Sequence, residues 1–127
     1  MPPIDQLQRV PQLQLDRLER QGIFTTGLLL EVSETRTRRQ TLADQVQASV
    51  NEVNAWRDEA LLLNLAGFGP DEQAIFTQAG VVGLGDLLAL DQATFADRIA
   101  KAAGILGATP PDPITVEGWF LQAQTLE

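Results

Sequence analysis

The stretch LLLNLAGFGPDEQAIFTQAG, residues 61–80, decides the fold class of this chain. Its leucines recur at helical spacing until the letters GFGP, residues 67–70, interrupt the pattern. A second helix is expected to begin at Pro70, because proline suits the first turn of a helix, and Gly80 is expected to end it. The stretch therefore predicts two helices joined by a tight glycine turn.

The same pattern occurs earlier in the chain. Residues 62–90 align with residues 4–32 at a shift of 58 positions, and the match resumes near the end of each half at a shift of 63. Two units, residues 1–60 and 61–127, are the simplest interpretation. The aligned pairs are Ile4 with Leu62, Leu7 with Leu65, Val10 with Phe68, Leu18 with Phe76, Gly22 with Gly80, Ile23 with Val81, Val53 with Val116 and Trp56 with Trp119.

The rest of the chain also reads as helices and turns. A helix is expected to start near Asp86, and Asp91 is expected to cap a further helix over residues 92–103, because aspartate accepts N–H groups at helix starts. No segment has the alternating pattern of a strand. The sequence therefore predicts an all-α protein.

The composition argues against an enzyme. The chain contains no cysteine, histidine or tyrosine, which excludes thiol nucleophiles, thiolate zinc sites and the commonest general base. Neighbouring carboxylates at 58–59 and 71–72 diverge by about 100° on a helix, so both pairs are expected to be surface charges. The segment from Asp86 to Asp97 lacks the central glycine and final glutamate of a calcium loop. We expect no catalytic residue, cofactor or metal.

Hydropathy and charge bear on location and partners. No apolar run approaches the roughly 20 residues that cross a bilayer, and the start MPPIDQLQRV lacks the regions of a signal peptide. We expect a cytoplasmic protein without membrane contact. The net charge is −8, and the acidity is concentrated in residues 64–127, where Arg98 and Lys101 oppose eight acids. Residues 1–63 hold seven arginines and nine acids.

The pattern Leu-x-x-Leu-x-Gly-Phe-Gly-Pro, followed by Gln-Ala-Gly-Val and Asp-Leu-Leu, resembles a helix-hairpin-helix motif. The paired arrangement, with Trp56 before LLLNLAGFGP and Trp119 closing the second copy, resembles the bacterial family labelled domain of unknown function 4332. The resemblance covers nearly the whole chain. It implies two tandem helix-hairpin-helix (SAM-like) units packed into one compact body, without an assigned activity. Other helix-hairpin-helix proteins bind DNA backbones or, in some cases, proteins.

Two interpretations are open for the residues Gly67, Phe68, Gly69 and Pro70, here called the glycine hairpin. Glycines let backbone N–H groups point at a phosphate, but two glycines and a buried Phe68 also make an ordinary helix reversal. The second interpretation is favoured because the hairpin is followed by Asp71 and Glu72, which compete with a phosphate. In the first unit the hairpin is degenerate, because Arg9-Val10-Pro11 replaces Gly-Phe-Gly.

The densest positive charge is Arg36, Arg38 and Arg39, here called the arginine cluster. Arginine forms bidentate contacts with phosphates and carboxylates, so the cluster is a candidate site for an anion or an acidic partner. A solvated face paired with Glu31, Glu34 and Asp44 is the favoured alternative.

These observations favour a non-enzymatic protein–protein interaction or scaffold module whose partner is another protein or a second copy. Sequence-independent nucleic-acid binding through the glycine hairpin and the arginine cluster is the alternative, and the net charge of −8 disfavours it. Trp56 and Trp119 occupy equivalent places in the two halves and are expected to be core residues.

Overall fold

The computed structural model describes residues 2–126 and confirms the all-α class. Within those residues there are eight α-helices and one short 3-10 helix, Ile4–Gln6, and no strand. The chain divides into two units, Met1–Asn64 (unit 1) and Leu65–Glu127 (unit 2). The helices of unit 1 are α1 Gln12–Arg20, α2 Thr26–Val32, α3 Arg36–Val46 and α4 Val50–Leu63. Those of unit 2 are α5 Pro70–Gln78, α6 Leu84–Leu88, α7 Gln92–Leu106 and α8 Pro113–Thr125.

Three of the four α-helices of unit 1 begin at hydroxyl side chains. Thr25 accepts the N–H of Leu28 at 3.1 Å, and Thr35 accepts that of Arg38 at 3.1 Å. Ser49 forms a capping box, in which its side chain accepts from the backbone of Glu52 while the carboxylate of Glu52 accepts from the backbone of Ser49. Each cap satisfies a backbone donor that a helix start leaves without a partner, so the sequence sets where these helices begin.

The core of unit 1 forms where α4 packs against α2 and α3. Trp56 on α4 is 1 % exposed, which confirms its predicted core position. Apolar residues of every other helix in the unit are buried with it, and removing such side chains from water is the main favourable term in folding. The buried set includes Ile4, Leu7, Leu15, Leu18, Ile23, Leu29, Leu42, Val46 and Val53.

Carboxylates start the longer helices of unit 2. Asp91 accepts the N–H of Thr94 at 2.7 Å, as predicted, and Asp112 accepts that of Ile114 at 2.8 Å. Helix α7 runs to Leu106, three residues beyond the predicted end, and Gly107 then takes a left-handed conformation with φ 66°. The N-terminal ends of helices favour negative side chains, so these caps use part of the acidity of unit 2.

An aromatic cluster forms the core of unit 2. The rings of Phe76 and Trp119 lie 5.2 Å apart, and those of Phe76 and Phe95 lie 5.6 Å apart, both in edge-to-face geometry. Trp119 is 2 % exposed, which confirms its predicted core position. Edge-to-face pairs add about 0.5–1.5 kcal/mol each beyond the area they bury. The remaining buried residues include Leu65, Ile75, Val81, Leu84, Leu87, Ile99, Ala102, Ala103, Val116 and Ala123.

Candidate interaction site

The glycine hairpin reverses the chain between Leu65 and α5. Gly67 has φ 71°, a left-handed conformation that costs an L-residue about 1–2 kcal/mol. The next N–H, that of Phe68, donates to the carbonyl of Leu65 at 3.1 Å. Pro70 occupies the first turn of α5, as predicted. The local geometry thus favours glycine at position 67.

Phe68 packs against the aromatic core of unit 2, but it is half-buried and not fully buried as the sequence predicts. Its ring lies 4.7 Å from Phe76 and 6.1 Å from Trp119, both edge to face. The indole N–H of Trp119 donates to the carbonyl of Ala66 at 2.7 Å, so the last helix of unit 2 holds the turn by a polar bond as well as by packing. Contacts with α5 and α8 therefore fix the position of the glycine hairpin in unit 2.

Protein side chains accept the backbone N–H groups around the glycine hairpin. Gln122 accepts the N–H of Ala66 at 3.2 Å, and Glu72 accepts that of Gly69 at 3.1 Å. A Cβ at position 69 would lie 3.2 Å from the same carboxylate, so glycine lets Glu72 fold back over the turn. A phosphate on these groups would have to displace a carboxylate of like charge, which opposes binding.

In unit 1 a buried carboxylate takes the corresponding place. The side chain of Glu59 on α4 accepts the N–H of Gln8 at 2.7 Å and the N–H of Arg9 at 2.9 Å. Glu59 is 1 % exposed, and a buried carboxylate without donors would be costly. The carboxylate of Glu59 thus binds the backbone N–H groups of this turn.

The predicted surface position of the 58–59 pair is wrong for Glu59. The pair diverges on α4 as expected, but that divergence directs Glu59 inward while Asp58 stays half-buried at the edge. Asp58 forms an ion pair of 3.0 Å with the guanidinium of Arg9, which also donates to the carbonyl of Ala55 at 3.2 Å. Arg9 therefore links the turn to α4 at the surface of unit 1.

The turn of unit 1 follows a different backbone path from the glycine hairpin. Among the non-glycine residues of the described range, Gln47 has the one positive φ, so Arg9 does not adopt the conformation of Gly67. Pro11 is extended at the start of α1 and offers no N–H. The substitution of Gly-Phe-Gly by Arg-Val-Pro therefore changes the geometry of the turn and not only its side chains.

Arg39 of the arginine cluster binds the carboxyl end of α2 together with Arg57. Arg39 donates to the carbonyls of Ser33 at 3.0 Å and Glu34 at 3.2 Å. Arg57, outside the predicted cluster, donates to the carbonyl of Leu30 at 2.9 Å and to the hydroxyl of Ser33 at 2.8 Å. Carbonyls at the carboxyl end of a helix carry partial negative charge, so the two guanidinium groups stabilise the end of α2.

Burial and neighbouring charge act on Arg57. Burial, followed by the positive charge of Arg39, lowers the pKa of Arg57 below its ordinary value, while Glu34 opposes that shift. The guanidinium of Arg57 is half-buried and is held by acceptors of unit 1.

The other members of the arginine cluster are exposed. Arg38 lies 3.8 Å from the carboxylate of Glu34 and donates to the carbonyl of Glu31 at 3.4 Å. Arg36 borders a surface depression with Gln40 and Asn51. Asp44, a predicted partner of the cluster, accepts from Gln40 at 3.0 Å. Arg36 is thus the member of the cluster that faces solvent without an ion pair among the described residues.

Beside the glycine hairpin lies a groove of about 600 Å³ whose lining includes Gly67 and Trp119. The charged side chains that line it are Asp71, Glu72 and Asp112. An acidic lining repels a phosphate backbone and suits a cationic group. The glycine hairpin lies in unit 2, whereas the arginine cluster lies in unit 1.

The structure also bears on metal and membrane contacts. Within residues 2–126, no three or more histidine, cysteine or acidic side chains are grouped so that they could hold a metal ion. Over the same residues, no helix has the length and apolarity needed to cross a bilayer.

Sequence reasoning missed Glu59 and Gln122. The repeat contained a signal for them, because position 59 aligns with 122 at the shift of 63, and Gln8 aligns with Ala66 at the shift of 58. Glu59 accepts the N–H of Gln8, and Gln122 accepts the N–H of Ala66. The two contacts therefore join equivalent positions in the two units. A pair of long polar side chains at equivalent places in the closing helices could have marked both contacts.

Comparison with protein families gives one match for this chain. The family model described as "Domain of unknown function (DUF4332)" matches residues 9–126. Neither the curated proteins nor the solved structures contain a match.

Proposed function

The chain belongs to the DUF4332 family, and on the geometry of its two turns we propose that it is a non-enzymatic protein-interaction or scaffold module of the cytoplasm. We propose further that units 1 and 2 are tandem helix-hairpin-helix units. The absence of histidine, cysteine and tyrosine from the sequence supports a role that needs no general base or nucleophilic thiol.

Matching local geometry supports the tandem arrangement. Gly22 and Gly80 end the first helix of each unit with φ 82° and 81°. The residues that follow them, Ile23 and Val81, donate backwards over five residues, to Leu18 at 3.0 Å and to Phe76 at 2.9 Å. Four α-helices follow one another in the described part of each unit, and the first has nine residues in both. Repeats of one supersecondary unit produce such correspondence.

One observation carries the interaction role. Four backbone N–H groups at the two turns already donate to Glu59, Glu72 and Gln122. Turns satisfied in this way serve as rigid corners that hold helix faces in place, and rigid faces lose little entropy when a partner docks. The surface of unit 2 then contributes mainly acidic and apolar groups to recognition.

Sequence-independent nucleic-acid binding is the second candidate. The left-handed Gly67 and the exposed Arg36 favour it. The net charge of −8 and the acidic groove beside the glycine hairpin oppose it. Binding of this kind depends on counterion release and would weaken steeply with salt.

Two measurements separate these functions. Fluorescence anisotropy of labelled single- and double-stranded DNA and RNA, titrated from low to physiological salt, is expected to stay flat. Affinity purification of the tagged chain from its native cells after nuclease treatment is expected to retain a stoichiometric protein partner. Saturable nucleic-acid binding that falls log-linearly with salt, together with loss of all partners on nuclease treatment, would overturn the proposal.

A further inference from the structure

An open groove of about 720 Å³ runs between α7 and α8 in unit 2. Its lining is mainly apolar and comes from both helices and from the loop that joins them. Ile99 and Val116 are buried beneath it, and Ala96 and Ala100 are exposed along its α7 side. The short alanine side chains leave the space that a larger residue would fill.

One wall of the groove is stiff. Pro110, Pro111 and Pro113 lie in the loop and the first turn of α8, and proline fixes one backbone dihedral at each position. Asp112, between them, caps α8 through the N–H of Ile114 at 2.8 Å. A wall with few conformations to lose favours binding, because ordering it on association costs little entropy.

The charged residues of the groove are acidic. Asp97, Asp112 and Glu117 belong to its lining, and unit 2 as a whole has eight acids against two basic residues. One of those bases, Lys101, pairs with Asp97 at 2.9 Å across an exposed surface, where such a pair contributes little. The negative field beside the groove therefore selects a cationic partner.

Exposed aliphatic side chains extend the apolar surface along α8. Ile114 is 80 % exposed and Leu121 is 54 % exposed, and they lie seven residues apart on one face of the helix. Glu117, three residues after Ile114, stands between this face and the groove. Large exposed aliphatic residues beside a groove are typical of a recognition surface.

We propose that the α7–α8 groove binds a cationic amphipathic helix of a partner protein. This proposal rests on the proposed interaction function and names its site. The apolar face of the partner helix would cover Ala96, Ala100 and Val116, while its lysines or arginines would meet Asp112 and Glu117. A helix in a groove combines apolar anchors at i, i+3, i+4 and i+7 with charges at the rim.

The test uses the full chain and a designed helical peptide of about 18 residues, or five turns, with leucines on one face and lysines on the other. A twin peptide has glutamate in place of each lysine. Anisotropy at physiological salt should show saturable binding of the lysine peptide and at least about tenfold weaker binding of the glutamate twin, in line with the negative rim.

Point variants locate the binding. Ala100→Trp fills the groove without changing charge and should weaken binding about tenfold or more, since it blocks the apolar anchors. Glu117→Lys should weaken it as well. The matched controls are Ala89→Trp, at an exposed position outside the groove, and Glu31→Lys, which makes the same charge change in unit 1. Both should leave the affinity unchanged, and thermal melts should confirm that all four variants fold.

Any of five results would overturn the groove proposal. Equal binding of both peptides, no binding of either, or unchanged affinity in Ala100→Trp would each exclude it. A dimer in sedimentation velocity that Ala100→Trp dissolves would make a second copy the occupant and also reject a foreign helix. A partner that co-purifies with wild type and Ala100→Trp alike would preserve the interaction function while removing this site, so the two failures are distinguishable.

Discussion

Glu59 accepts the backbone N–H of Gln8 at 2.7 Å, across 51 residues of sequence. The same carboxylate accepts the N–H of Arg9, so the last helix of unit 1 holds the turn that precedes its first long helix. Because the carboxylate is buried, the turn and α4 form as one structure. These bonds connect the start of unit 1 to its last helix.

Replacing Glu59 with alanine should destabilise unit 1 strongly. Two backbone N–H groups would lose a buried acceptor, and each group left unsatisfied costs about 1–3 kcal/mol. Glu59→Gln retains one acceptor oxygen and should lose less. Urea unfolding can follow unit 1 alone in a Trp119→Phe background, where Trp56 is the remaining tryptophan.

Gln122→Ala is the matched control for Glu59→Ala. Gln122 accepts one N–H from an exposed residue, so its loss should cost only about 0.5–1.5 kcal/mol, the usual net value of one hydrogen bond. This control is followed in a Trp56→Phe background. Equal losses for the two alanine variants would contradict the structural role assigned to the buried carboxylate.

Two glycine-to-alanine changes in unit 2 should have opposite signs. Gly67→Ala puts a Cβ at φ 71° and should destabilise by about 1–2 kcal/mol. Gly118→Ala lies within α8, where an added Cβ meets nothing within 4 Å, and should stabilise by up to about 1 kcal/mol. Thermal unfolding of both variants measures the difference, and a stabilised Gly67→Ala would refute the left-handed turn.

Within the arginine cluster, two alanine variants should behave differently. Arg39→Ala removes bonds from a charged group to the carbonyls of Ser33 and Glu34 and should cost about 1.5–3 kcal/mol. Arg36→Ala should change the free energy of unfolding by no more than about 0.5 kcal/mol, as exposed substitutions usually do. Chemical denaturation distinguishes the two variants. An unchanged free energy of unfolding in Arg39→Ala would show that the bonds of Arg39 do not stabilise unit 1.

Asp91 should make the stability of α7 depend on pH in the acidic range. The backbone N–H of Thr94, followed by its hydroxyl, lowers the pKa of Asp91 below the ordinary 3.8. A lowered native pKa means that the cap is fully stabilising above 3.8 and is lost as the pH falls through the lowered value. Carboxyl carbon shifts in an acid titration measure that pKa directly.

Asp91→Asn provides the control for this titration. Asparagine is also a good cap but does not titrate, so the pH dependence that Asp91 contributes should disappear while α7 still forms. A native pKa for Asp91 at or above 3.8 would contradict the hydrogen-bonded cap.

Local sequence signals predicted much of the fold. The cap at Asp91, the proline in the first turn of α5 and the core positions of both tryptophans follow from nearby residues and periodicity. The end of α7 was predicted three residues early, because the stop signal at Gly107 was not used. Signals for the start and end of a helix depend on residues within one or two turns, so they can be recognised in the sequence.

The candidate site was predicted less completely. The letters GFGP located the glycine hairpin, and the charge pattern located the arginine cluster. Neither signal showed that Arg39 would bind helix carbonyls, because its acceptors belong to the preceding turn and their direction depends on how α2 and α3 pack. The α7–α8 groove was also missed, because its shape depends on how the two helices pack against each other.

By itself, the sequence determined the all-α class, most helix starts and the acidity of the second half, because caps, periodicity and charge are properties of neighbouring residues. Only the tertiary structure decided that Glu59 would be buried while its neighbour Asp58 stayed at the edge. Two adjacent helical residues have similar local propensities. Their environments differ because the packing of α4 against a turn some 50 residues earlier gives one carboxylate two backbone N–H donors and gives the other the guanidinium of Arg9.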